Sequence, residues 1–158
     1  MSRRDQIRMT DAELRDYLAK AQTMIIVSLN KDGTPHPMPM WYGVEPDGSI
    51  VMTTFTKSQK IVNIQRDPRV SLLVESGGAV YSSLKGVVIY GKAELIRDDE
   101  QVVDILTRVS TKTLDNPDDK TREGIRSAVR GTAPKRTGIR IRRERVVTWD
   151  HSKLGGAY

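Results

Sequence analysis

Pro35, Pro37 and Pro39 alternate with His36, Met38 and Met40 in a run that otherwise reads as a strand. Proline has no N–H to give a ladder, and successive N–H groups of a strand point to opposite edges. One edge of this strand therefore loses its donors, while the other keeps them. The chain must place the stripped edge where it is free, irregular or facing something other than a standard ladder. The turns on either side are Lys31-Asp-Gly-Thr34 and Pro46-Asp-Gly48. Asp-Gly is the hairpin dipeptide, so this part of the chain folds back on itself locally.

The neighbouring segments extend that pattern. Thr23 to Asn30 and Val70 to Glu75 read as strands, as do Ser49 to Thr54, Lys85 to Ile96 and Thr137 to Trp149. Gly91 inside the fourth of these in chain order predicts a bulge or barrel corner. Thr10 and Glu13 have capping-box spacing, which predicts a short amphipathic helix over residues 11–21. Asp98 and Gln101 cap a helix carrying Val102, Val103, Leu106 and Val109 on one face. Asn116-Pro117 interrupts it, and a second helix over Asp118 to Arg130 ends at Gly131. The connections between early strands are short, which favours antiparallel pairing. Closing the sheet removes its edges. The expected fold is mainly β: a six-stranded antiparallel split barrel with flanking helices. It would form one domain over 1–158, with an N-terminal helical segment over 1–22 and a helical insertion over 98–131.

The strand from Ser49 runs directly into a helix start rich in anion-binding groups. Thr56 and Gln59 have capping-box spacing, which places the helix N-terminus near Lys57. Ile61 and Ile64 supply its apolar face, and Asp67-Pro68 closes it. Lys57, Ser58 and Lys60 stand at the mouth, with the two lysines expected on a shared face. A helix N-terminus offers free N–H groups and the positive end of the dipole, so the set suits a phosphate or carboxylate. The bland alternative is a capped helix with solvated lysines.

Composition narrows the function classes. The 158 residues include no cysteine, which excludes disulfides, thiolate metal sites and cysteine nucleophiles and suits the cytoplasm. His36 and His151 are the two histidines, far apart in sequence, so no metal site is expected. No apolar run approaches the roughly 18 residues of a membrane span. The segment MSRRDQIRM lacks the apolar core of a secretory signal. The net charge of +6 favours acidic ligands or surfaces. Its densest part is the run from Lys135 to Arg145, read as a solvated strand face, a landing strip for an anionic tail or a nucleic-acid surface. The last is disfavoured, because aromatic residues do not interleave the charges.

Taken together, the Pro-rich strand, Ser58-Gln-Lys60 and Asn63-Ile-Gln-Arg66-Asp-Pro-Arg69-Val70 resemble the split-barrel superfamily of pyridoxamine 5′-phosphate oxidase. GVVIYGKAEL resembles a later barrel strand of that fold, and the similarity spans residues 12–96 and 137–151. The Arg-Asp-Pro-Arg form and the WDHSKLGG tail are similar to the actinobacterial F420-dependent reductase branch. That resemblance implies an oxidoreductase passing hydride from reduced coenzyme F420, a deazaflavin, to an electron-poor small-molecule acceptor. It implies that Ser58 and Lys60 meet the cofactor phosphate and that Val51, Met52, Thr53 and Thr54 line the cofactor. His36, Met38, Pro39, Met40 and Trp41 would run along its ring. It further implies a homodimer with sites at the interface, which Trp149 of the C-terminal strand reaches. An FMN-dependent oxidase of the pyridoxamine-phosphate type, or a protein that binds a cofactor or haem without turnover, are the alternatives. Gln59 stands where flavin-binding relatives have Arg, which disfavours the oxidase. Each singled-out residue also has a plain reading. His36 suits a satisfied strand position, Met38 and Met40 suit the core, and Trp41 and Trp149 suit core or interface. No catalytic side chain is assigned, since such a cofactor carries the hydride chemistry itself.

Overall fold

The computed structural model describes residues 2–155. Ser2 and Thr10 each close a capping box, starting a one-turn α1 (Arg3–Gln6) and then α2 (Asp11–Lys20). The chain continues as β1 (Thr23–Leu29), β2 (Pro35–Trp41), β3 (Gly43–Val44) and β4 (Ile50–Phe55). Helix α3 (Gln59–Arg66) leads to β5 (Arg69–Ser76) and β6 (Lys85–Ile96). Helices α4 (Asp99–Thr111) and α5 (Asp119–Arg130) precede the long β7 (Arg136–Asp150). The described strands number seven, not the expected six; the extra one is the two-residue β3.

The strands form one sheet in the order β2-β1-β5-β6-β7-β4-β3, with every pair antiparallel. β2 and β3 stand at opposite ends of that order, yet only Tyr42 separates them in sequence. The sheet must therefore curl until its two ends meet, which is what makes it a split barrel. The prolines decide which end is open. β2 pairs with β1 alone, in the register Ser28↔His36, Ile26↔Met38 and Met24↔Met40. Its N–H donors toward β1 can come only from His36, Met38 and Met40, so the proline nitrogens face the unpaired edge. At Gly91 the β6–β7 register shifts, as its position predicts. A Cβ there would lie 2.2 Å from the Arg142 carbonyl oxygen.

Two cores result. The barrel interior holds Met24, Ile26, Tyr42, Ile50, Met52, Leu72, Ile89 and Ile141 among others, with Leu14 and Leu18 of α2 and Ile61 and Ile64 of α3 closing it. The second core lies on the other face of β4. There Val51 packs with Val102, Val103, Ile105, Leu106 and Val109 of α4. The helical insertion thus covers the outside of the barrel, and β4 is buried on both faces rather than one. Val129 of α5 joins that cluster, and Ile125 is half-buried; α5 has no fully buried residue.

Candidate cofactor site

The start of α3 is built differently from its sequence pattern. Thr56 does not cap it: the Thr56 hydroxyl meets that of Thr137 at 3.0 Å, and Gln59 Nε2 donates to Asn63 Oδ1 at 2.9 Å. The N-cap is Ser58, with extended backbone and no side-chain capping bond. Its hydroxyl instead accepts from Thr54 Oγ1 at 3.3 Å. The first turn of the helix closes with the Ile61 N–H on the Ser58 carbonyl at 3.0 Å. The amides ahead of it, on Gln59 and Lys60, are the orphan donors of a helix end.

Starting the helix two residues late separates the two lysines. Lys60 turns inward and is 6% exposed, with Nζ donating to Thr54 Oγ1 at 3.0 Å. Lys57 stays exposed in the turn. The shared lysine face expected from their spacing is therefore absent. Burial lowers the Lys60 pKa, since removing an ammonium from water favours its neutral form. Among the described residues its polar contact is a hydroxyl, not a carboxylate. A cation held this way, beside a hydroxyl pair and two helix-end amides, fits a phosphate.

The rest of the sequence motif holds that helix in place. Asn63 is fully buried, and its Nδ2 donates to Ser28 Oγ at 3.1 Å and Asn30 Oδ1 at 3.0 Å. Arg66 donates to the Leu29 carbonyl. Asp67 takes both Nε and Nη2 of Arg69, and that bonding brings its pKa down to about 2. Asn63 and Arg66 thus fasten α3 to β1, and the Asp67–Arg69 pair shapes the turn into β5.

The other expected site residues divide into groups. His36 is half-buried and lines a shallow pocket of about 510 Å³ with Asn30, Lys31, Asp32 and Gln59, beside the start of α3. Met38 and Met40 share its face of β2 and pack against the barrel core. Pro39 and Trp41 point to the other face, and Trp41 is 62% exposed. Val51 and Met52 are fully buried, one in each core, so of that strand Thr53 and Thr54 are left nearest the helix start. Trp149 lies elsewhere. It packs over Gly86, where a Cβ would come within 2.3 Å of its ring, while the opposite end of β7 pairs with Phe55. Arg136 and Trp149 lie near opposite ends of the 15-residue β7. At about 3.3 Å per residue the strand separates them by roughly 40 Å of path.

The sequence run from Arg136 to Arg145 is also partitioned. Arg140 makes a two-point ion pair with Glu45 at 2.8 and 3.1 Å, and Arg145 lies over the Tyr90 ring at 4.0 Å. Arg142 is exposed. Sequence spacing missed Glu45 as the partner of Arg140, because 95 residues separate them.

Comparison with known proteins agrees with this architecture. No curated protein is significantly similar to the chain. A conserved hypothetical protein from Mycobacterium tuberculosis is 35% identical, with a TM-score of 0.84, and the match covers 100% of this chain and 95% of that one. A FAD-binding protein from Mesorhizobium loti is 23% identical, with a TM-score of 0.65 over 89% of this chain and 94% of its own. A protein described as an F420 reductase is 19% identical, with a TM-score of 0.59 over 84% and 94%. The last two show likeness of fold. No helix among the described residues is long and apolar enough to cross a membrane. The pyridoxamine 5′-phosphate oxidase family matches residues 10–150, so the chain belongs to that family.

Proposed function

We propose that the protein is an oxidoreductase that binds coenzyme F420 and directs hydride to an electron-poor organic acceptor. The observation that carries this reading is the single buried cation at the start of α3. Lys60 sits inside, and Gln59, where the family resemblance implies an arginine in flavin-binding members, is neutral and tied to Asn63. A phosphodiester such as that of F420 carries one negative charge, which one buried ammonium balances. The phosphomonoester of FMN carries close to two near neutral pH. Burying a second, unbalanced charge is costly.

Hydride transfer is the chemistry a deazaflavin supplies when bound. The chain's own residues do the rest. Lys60, Ser58 and the helix-end amides bind the phosphate; Thr54 orients the Lys60 ammonium; Asn63 and Arg66 keep the helix docked on β1. His36 and Gln59 form the adjoining wall. Phe55, at 61% exposure, and Val62, at 49%, leave apolar surface beside the cradle. A second copy of the chain is the natural cover for that surface, and Trp149 belongs to the cradle only if the partner copy supplies it. Light scattering coupled to size exclusion tests the dimer, and a stable monomer at micromolar concentration removes shared sites from the proposal.

The cofactor is tested by parallel titrations of the protein with F420 and FMN, read by fluorescence. Tighter binding of F420 is expected. Exposed Lys57 favours the rival reading, because it adds a second positive charge at the rim. Tighter binding of FMN, lost in Lys57→Met, would establish the flavin reading instead.

A further inference from the structure

A cleft of about 580 Å³ opens between α4, the α4–α5 link, α5 and β3. None of its lining residues belongs to the α3 cradle or to the pocket beside His36. We propose that this cleft is a second binding site, for a small organic anion whose carboxylate or phosphate is gripped by Arg108, Lys112 and Arg122.

The charge inventory is one-sided. Arg108, Lys112, Arg122, Arg126 and Arg140 line the cleft, against two carboxylates, Glu45 and Asp104. Both carboxylates are engaged: Glu45 holds Arg140 at 2.8 Å, and Asp104 pairs with Arg126. Among the described residues the other three cations have neutral partners. Arg108 donates to the Val44 carbonyl at 3.3 Å, Arg122 to the Pro117 carbonyl at 3.1 Å and Lys112 to the Ala21 carbonyl at 2.6 Å. Arg108, Arg122 and Lys112 thus line one concavity without a paired carboxylate, and its low-dielectric walls focus the field of the charged groups.

Lys112 is the most constrained of them. Its ammonium lies 3.2 Å from the centroid of the Tyr42 ring, and Tyr42 is itself fully buried. Burial pushes Lys112 down to about 7, while the ring face and the Ala21 carbonyl favour the charged form. A bound anion would supply the counter-charge the protein does not. Arg108 of α4 and Lys112, the helical-backbone residue that caps its C-terminus, are four residues apart and so share a face. The stem of Arg108 crosses Gly43, where a Cβ would approach its Cγ to 2.9 Å, so a glycine makes room for that crossing. Val44, Ile105 and Leu114 supply apolar surface for the body of the ligand. The inference does not depend on which cofactor occupies the α3 cradle.

The test uses the full chain, nitrogen-15 labelled, and three probes: benzoate, phenyl phosphate and neutral benzamide. Both anions are expected to give saturable amide shifts at Gly43, Val44, Arg108, Lys112 and Asn116, and benzamide none. Lys112→Met and Arg108→Gln should each weaken the anions about tenfold, the worth of one charge-assisted hydrogen bond. Arg122→Gln, at an exposed position, should do the same without disturbing packing. Lys60→Gln should leave these shifts in place, which separates the cleft from the cradle. Shifts confined to Gln59 and Lys60, shifts that grow linearly without saturation, or an equal response to benzamide would each overturn the proposal.

Discussion

The Tyr42 hydroxyl donates a 2.7 Å hydrogen bond to the Leu18 carbonyl inside the barrel core. Tyr42 is the one residue between β2 and β3, the two ends of the sheet order. Leu18 lies in the last turn of α2, where carbonyls run out of helical partners. One buried bond therefore ties the closure of the barrel to the N-terminal helix. Tyr42→Phe keeps the ring and leaves the carbonyl unpaired. It should lower stability by about 1–2 kcal/mol, seen as a lower urea midpoint at unchanged slope. An unchanged midpoint would mean that water replaces the hydroxyl and that the tie is dispensable.

Lys112 predicts a pH dependence. Its folded pKa is lowered to about 7 from 10.5, so between those values the unfolded chain holds a proton that the folded chain does not. Stability then rises with pH through that window, and it is lowest below pH 7, where folding must bury the ammonium. Arg108 and Arg122, facing the same cleft, add like charge, while Glu45 and Asp104 are paired elsewhere. Urea midpoints at several pH values should climb for the wild type and stay flatter for Lys112→Met. Parallel curves for the two proteins would show that Lys112 keeps its ordinary affinity for protons.

The same residues show what the sequence makes legible. Strand positions, the edge role of β2 and the bulge at Gly91 follow from steric rules that act within a few residues. Proline lacks a donor wherever it stands, so its message survives folding. The cap at Thr56 failed because Thr137, 81 positions away, takes that hydroxyl. With the helix start moved to Ser58, Lys60 turned inward and Lys57 did not. The motif from Asn63 to Arg69 runs through α3 and the turn after it, where Asn63 and Arg66 dock the helix on β1 and Asp67 pairs with Arg69. The α4 cleft left no periodic trace. Arg108 and Lys112 are four apart, which is legible, but their counterparts Val44 and Tyr42 arrive from a distant turn.

The basic final strand calls for two opposite results. Arg140 is 23% exposed at its side chain and bound to Glu45, so it is not available to an anionic tail. Arg140→Glu would set two carboxylates together and should cost about 1–3 kcal/mol of stability, discounted for partial exposure. Arg142 is exposed and keeps its charge for solvent or ligand. Arg142→Glu should leave the melting temperature nearly unchanged and weaken F420 with a long glutamate tail more than a deazaflavin without one. Equal loss for both ligands would place the tail away from β7.

The two lysines at the start of α3 give the most direct test of the cradle. Lys60 is buried against Thr54, whereas Lys57 is open to solvent. Removing Lys60 takes away a charge-assisted hydrogen bond in an enclosed place, worth about 1.5–3 kcal/mol, or roughly 10–150-fold in affinity. Removing Lys57 takes away a screened surface charge worth less than about 1 kcal/mol. Lys60→Met should therefore weaken F420 far more than Lys57→Met, and salt should erode the Lys57 contribution first, since exposed charges are screened over about 8–10 Å. Burial lowers the Lys60 pKa in the free protein, and a bound phosphate anion favours its protonated form, so binding near that pKa should take up a proton. Calorimetry in buffers of different ionisation enthalpy would detect the uptake. Equal losses in the two variants, with no proton taken up, would move the phosphate out of the cradle and onto the exposed rim.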